Sequence, residues 1–313
     1  MVDGLICLDT PDEMDHDTKE SIRPSPMSRL HKNVIRATDI AAQFWCEKQM
    51  ELGYLYGKEA TPEMRNGAEV HKNIETIINI PVNLKPESYP DSLYRSLYTS
   101  YLGVSTLRER GAARELNIYG SINGFKIAGK IDEIRYEDGK TVVYEDKIKM
   151  SDREPSSAQI ASHRMQVLLY IKMLNDIKRG LYTFSNFARG WGTDKMRITD
   201  SFSAQLKDMG IKEGDMTVGS IAALYFSSLM DAGDISDMAF IRYTNAQSGN
   251  IIKSSRVEYS QNDFEERLKY AMVYWNGFRD AKPVDESEKW KCNYCPFFGK
   301  QCTTWYQAKQ KVL

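Results

Sequence analysis

The chain has no excess charge of either sign: 42 lysines and arginines stand against 43 aspartates and glutamates in 313 residues, a net charge of −1. A uniformly basic surface is therefore excluded, and any polyanionic partner has to be met by basic groups gathered locally. No apolar run is long enough to span a bilayer, and no charged-then-apolar segment opens the chain. Both absences point to an intracellular protein, cytoplasmic or, in a eukaryote, nuclear or mitochondrial, with no membrane partner. Cysteine is sparse and odd in number, five in all, which argues against a disulfide framework. Internal repeats are lacking. The only biased tract is residues 1–26, acid-rich and closed by prolines, which reads as a mobile acidic arm containing an incidental Cys7.

The remaining residues 27–313 read as one composite domain. A helix is expected over 38–57, with Thr38 as N-cap and Gly57 as stop, and a second from Thr61, with Pro62 at its first position. Residues 82–110 are helical in texture. A strand meander follows, with turns at Asn123-Gly124 and Asp138-Gly139. Residues 156–178 form a helix, 181–235 carry no decisive pattern, and 238–245 with 251–260 form a hairpin. Ser260 with Asp263 resembles a capping box opening a helix over 261–282.

Within the meander, "FKIAGKIDEIRY" and "KTVVYEDKIK" flank the Asp138-Gly139 turn. Symmetric pairing sets Asp132 opposite Glu145, with their Cβ atoms about 5 Å apart, where two carboxylates repel. A hard divalent cation, Mg²⁺ or Mn²⁺, relieves that repulsion. Lys147 follows Glu145 by two and shares its face, placed to orient a water and to offset charge developing on a phosphate. His71, on the second helix, suits Mn²⁺ as a third ligand. Gln166 and Tyr170, one turn apart on the helix after the hairpin, suit a phosphate oxygen and a base face. A solvated charged hairpin, a structural histidine and an ordinary helix face are the plainer readings of the same residues.

Their order, Gly67 to His71, Gly129 to Asp132, Glu145-Asp146-Lys147, Gln166 to Tyr170, resembles the RecB-type branch of the PD-(D/E)XK nuclease superfamily. Ile131 stands where the superfamily's name has proline. The resemblance implies a restriction-endonuclease-like mixed sheet flanked by helices, with its core over 61–180. It also implies a metal held by His71, Asp132, Glu145 and the backbone carbonyl of Asp146, with Lys147 catalytic.

"KWKCNYCPFFGKQC" supplies Cys292, Cys295 and Cys302 as C-x₂-C-x₆-C, and Cys46 is the natural fourth ligand. A Cys₄ zinc site is the alternative. The one-plus-three spacing and the Cys295-Pro296 step favour a [4Fe–4S] cluster joining segments 38–57 and 281–306. With "ATDIAAQFWCEKQMEL" and "YWNGFRDAKPVDESEKWKCNYCPF", the chain resembles the exonuclease V family from about residue 30 to 306. The Cys295–Cys302 gap is six residues where that family often has five. The family implies a metal-dependent exonuclease of single-stranded DNA acting 5′ to 3′ in repair or replication, with Gln166 and Tyr170 on the DNA and single-strand-binding protein a candidate partner. A CRISPR-adaptation nuclease trimming DNA ends is the runner-up; a non-catalytic DNA-binding iron–sulfur protein is the third.

Overall fold

A computed structural model describes residues 24–57, 65 and 82–305. The acidic arm up to residue 23, the Thr61 helix and His71 lie outside the described residues. Ser25 already caps a short helix, α1 (Pro26–Arg29), inside the last residues assigned to the arm. Then come β1 (Ile35–Arg36), α2 (Ala37–Tyr56), α3 (Tyr89–Ser105) and α4 (Leu107–Arg110). The meander is β2 (Ala112–Ile122), β3 (Phe125–Glu137) and β4 (Lys140–Lys149), followed by α5 (Ser157–Lys178). The undecided stretch folds as α6 (Phe184–Trp191), α7 (Asp200–Asp208) and α8 (Val218–Asp231). The chain continues through β5 (Asp234–Asn245), β6 (Ile251–Glu258), α9 (Gln261–Trp275) and a 3₁₀ turn over Glu286–Tyr294.

The six strands make one mixed sheet. β3 and β4 pair antiparallel from Glu137↔Lys140 to Glu133↔Tyr144, the register the turn predicts. Asp138 (φ 48°) and Gly139 (φ 80°) both occupy the left-handed region that this two-residue turn requires. β4 then pairs parallel with β5 and β5 antiparallel with β6. α5 packs across β2, β4 and β5, while α3 lies against α8 and β2. Residues 165–171 of α5 are all buried, so the helix is wrapped on every side at its middle.

Two helix starts differ from the sequence reading. Helix α2 is capped at Arg36, two residues before Thr38, with Asp39 accepting the Arg36 N–H at 2.8 Å. Ser260 makes no side-chain cap to α9, and Asp263 turns to Arg267 (3.0 Å) and Arg164 (3.3 Å) rather than back to the Ser260 N–H.

Asp91 joins α3 to α7 across the undecided stretch. Its carboxylate, fully buried, accepts from the N–H groups of Glu87, Ser88 and Thr199 and from the Thr199 hydroxyl. Burial works against its charge, but the Thr199 and Glu87 donors outweigh it and hold the carboxyl below its usual range. Asp91→Asn sets an amide against these donors and is expected to cost about 2 kcal/mol at neutral pH. The stabilisation is present above the unfolded-state carboxylate range and is lost as pH falls through the lowered folded-state value. Urea midpoints of the two proteins are therefore expected to converge in acid; a constant gap would contradict this account.

Candidate active site

β3 is paired along one edge by β2 and shares its other edge between two strands. β4 takes Glu133–Glu137, and β1 takes Ile127 and Ala128 in parallel. Between them, Gly129 to Asp132 have no strand partner on that edge among the described residues. The predicted pair Asp132–Glu145 is thus the first position at which the ladder opens. The Asp132 carboxylate closes the opening by accepting the Asp146 N–H at 2.8 Å. On the other edge the β2–β3 ladder also skips Asp132, opposite Glu115, whose φ of 56° is rare for a residue with a side chain. Glu115 is ion-paired with Lys130. It brings another carboxylate to this point of the sheet, and no periodicity in the sequence marks it.

The structure brings Asp132, Glu145 and Lys147 together. Lys147 Nζ donates to Glu145 Oε1 at 2.6 Å and to Gln166 Oε1 at 3.1 Å. Burial acts to lower the Lys147 pKa, yet the Glu145 and Asp132 charges prevail and raise it. Through its bonds to Glu145 and Gln166, Lys147 stands as a donor at the sheet opening. The side chain of Asp146 turns to the opposite face, where Arg114 and Arg242 hold it, leaving only its backbone available to the site. On that face Glu133 is bonded by Arg114, Arg135 and Arg242, and Tyr144 stacks on Phe240 with centroids 5.1 Å apart.

Gln166 and Tyr170 need correction as DNA contacts. Tyr170 is 1% exposed and Gln166 5%. The Tyr170 hydroxyl accepts from Gln166 Nε2 and donates to the Lys130 carbonyl on the open edge of β3, both at 2.8 Å. No face of the ring is open to a base. The pair instead fixes the strand edge and, through Gln166, the lysine. Gly129 allows this: a Cβ there would lie 2.6 Å from the Tyr170 ring. Gly129→Ala is accordingly expected to cost about 1–3 kcal/mol by overpacking and to lower the cleavage rate with it. Wild-type melting and rate would contradict the close approach.

The four cysteines expected to act together line one cavity with Trp45, Pro283, Val284 and Lys291. None is in a disulfide. Helix α2 is interrupted at Cys46, which takes extended backbone (φ −165°, ψ 110°). Its sulfur accepts the Gln49 N–H at 3.4 Å, as a cap for the second half of the helix. Burial pushes the Cys46 thiol up; the Gln49 and Val284 N–H groups oppose this, and the Cys295 and Cys302 sulfurs add to it. Among the described residues no group of three or more His, Cys, Asp or Glu side chains is arranged around a common metal position. The donor chemistry fits such groups: four sulfurs line one cavity, and among the described residues the sheet opening offers the carboxylates of Asp132 and Glu145.

Helix α2 and residues 271–282 are fastened by side chains other than cysteine. Glu47, buried, accepts from the Arg279 guanidinium and the Lys282 N–H, and Gln43 bonds Trp275 Nε1 (2.9 Å) and the Ala271 carbonyl (3.2 Å). Exposed aromatics, missed in the sequence, stand beside the cysteine cavity: Trp290 lies edge-on to Trp45 at 5.7 Å, and Tyr294 is 69% exposed. Their interleaving with the cysteines was the available signal. No described helix is long and apolar enough to cross a membrane.

A family model described as exonuclease V, a 5′ deoxyribonuclease, matches residues 25–150 and 220–306. The exonuclease V of Danio rerio is 27% identical over 289 residues, covering 87% of this chain and 70% of the relative. Among solved structures, SSO0001 is 12% identical with a TM-score of 0.38, covering 86% of this chain and 90% of that one. A candidate exonuclease from Eubacterium rectale is 10% identical with a TM-score of 0.37, covering 89% and 93%. At such TM-scores neither structural likeness carries an argument. The family match spans well over half of the residues, and on that ground the chain belongs to the exonuclease V family.

Proposed function

We propose that this DNA exonuclease is divalent-metal-dependent, prefers single-stranded DNA and works from 5′ ends in repair or replication. The observation that carries the reading is Lys147, which donates to Glu145 and Gln166 beside Asp132, where the β3–β4 ladder opens. Asp132, Glu145 and the Asp146 carbonyl are the described groups that would hold Mg²⁺ or Mn²⁺, with His71 as the further ligand. When bound, the metal supplies a polarised phosphodiester and a more acidic water. Lys147 donates to the phosphoryl oxygen as negative charge grows on it. Gln166 keeps the lysine from swinging away, and Tyr170 keeps Gln166 in place.

The test compares linear single strands, blunt duplexes and circular single strands, with Mg²⁺ or Mn²⁺ and with chelator. Degradation of the linear strand alone, stopped by chelator and by a 5′ block but not by a 3′ block, is expected. Rapid cutting of circles, equal rates on duplex, or chelator-resistant cleavage would count against the respective parts. Adding single-strand-binding protein to the same strands tests it as a partner.

The same proposal assigns one [4Fe–4S] cluster to Cys46, Cys292, Cys295 and Cys302, supported by their common cavity. Anaerobically purified protein should be brown, with iron and sulfide each about four per chain. Cys46→Ser is expected to lose that colour while Gln43 and Glu47 still tie α2 to α9. Stoichiometric zinc without iron would overturn the assignment.

A further inference from the structure

Beside Lys147 stand basic groups that the mechanism above leaves without a task. Lys149 closes β4 two residues past Lys147, so strand alternation puts both on one face. In the β4–β5 register Lys147 lies opposite Tyr243 and Lys149 opposite Asn245. Arg153 follows, exposed, after the strand has ended. The carboxylates next to Arg153 in the chain are engaged elsewhere: Asp152 accepts from Asn245 Nδ2 and Glu154 from Lys253, both at 2.7 Å. No described carboxylate forms an ion pair with Lys149 or Arg153. Burial first, and then the Arg153 charge, hold the Lys149 ammonium below its usual range.

Helix α5 brings His163 to the same corner. Its Nδ1 is 3.0 Å from the Tyr243 hydroxyl, on the residue opposite Lys147. Burial, then Lys147 and Lys149, push the imidazole pKa down to about 2, so the ring is neutral. In the tautomer in which the Tyr243 hydroxyl donates to Nδ1, the ring proton sits on Nε2, a donor without charge. Two cations that repel each other and a neutral donor, gathered beside a catalytic lysine, gain stability when an anion joins them.

We propose that Lys149, Arg153 and His163 form a subsite for the phosphate neighbouring the scissile one on the same strand. This rests on the function proposed above. Two strand residues span about 6.6 Å, on the order of one nucleotide step, so Lys147 and Lys149 address successive phosphates. The subsite fixes the register of the strand, whereas Asp132, Glu145 and Lys147 act on the bond that breaks.

The test is a methylphosphonate scan. One uncharged linkage is placed in turn at each phosphate flanking the first bond cleaved, and wild type is compared with Lys149→Gln/Arg153→Gln. In wild type, one neighbouring position is expected to raise KM about 10-fold, with kcat changed much less. The double variant should show that rise on the unmodified strand and no further loss at that position, a non-additive pair. His163→Leu should give a smaller rise, non-additive at the same position. A double variant with native KM, or losses that add at every position, would overturn the subsite. Should wild type degrade no single strand, the functional reading fails instead. The subsite is then judged by equilibrium binding of the same oligonucleotides, where the variant must reduce the salt dependence and a native slope refutes it.

Discussion

Asp132→Asn is expected to lower kcat by about 10³-fold or more while the protein melts as wild type does. The carboxylate has two tasks, and the substitution separates them. It accepts the Asp146 N–H at 2.8 Å, which closes the β3–β4 ladder where strand pairing ends. It also places negative charge beside Glu145 and Lys147, the charge on which the proposed metal site depends. Asparagine keeps an acceptor oxygen and removes only the charge. Asp132→Ala removes both and leaves a part-buried N–H without its acceptor, at a cost of about 1–3 kcal/mol. Single-turnover cleavage of an end-labelled strand, read beside a thermal melt, distinguishes these outcomes. An asparagine variant within a factor of ten of wild type would refute a charged role for Asp132.

The largest loss of stability is expected from Arg114→Met. Arg114 is buried against Glu133 and Asp146, themselves buried and shared with Arg242. Methionine approximates the volume but leaves two carboxylates facing Arg242, with Arg135 reaching only Glu133. Breaking a buried ionic group in this way costs about 3–5 kcal/mol. Glu133 adjoins Asp132 in the chain and Asp146 lies between Glu145 and Lys147, so the network anchors the backs of both strands that carry the candidate site. Activity should fall at temperatures well below the melt. Urea midpoints give the stability loss, and a change under 1 kcal/mol would show the network to be dispensable.

The hairpin was legible because its turn is local. Asp138-Gly139 admits few conformations, and the register that brings Asp132 to Glu145 follows from it. The meander strands, the β5–β6 hairpin and α5 were legible for similar reasons of period and punctuation, whereas β1 was not, and α9 stops at Trp275, short of the expected 282. The break at Cys46 was not, since the surrounding residues are good helix formers and the extended residue is held by partners distant in sequence. Nor was the burial of Tyr170. Spacing puts Gln166 and Tyr170 on one helix face, but it cannot say whether that face meets solvent, and here the helix is buried all round. The capping box at Ser260 failed because its acid had arginines within reach. The helices between 181 and 235 are short, and their Thr183 and Thr217 caps are individually weak signals.

The fastening of α2 to α9 bears on how the protein is made. Gln43 and Glu47 find their partners among residues 271–282, near the opposite end of the chain. A ribosome delivers α2 at least 228 residues before those partners, so the helix waits through that interval with one face uncovered. That face carries an amide and a carboxylate where a core helix would carry leucines. Water satisfies such groups for as long as synthesis lasts, whereas a waiting apolar face would recruit other nascent chains. The polar seam therefore costs the finished protein some burial energy and protects the unfinished one from aggregation.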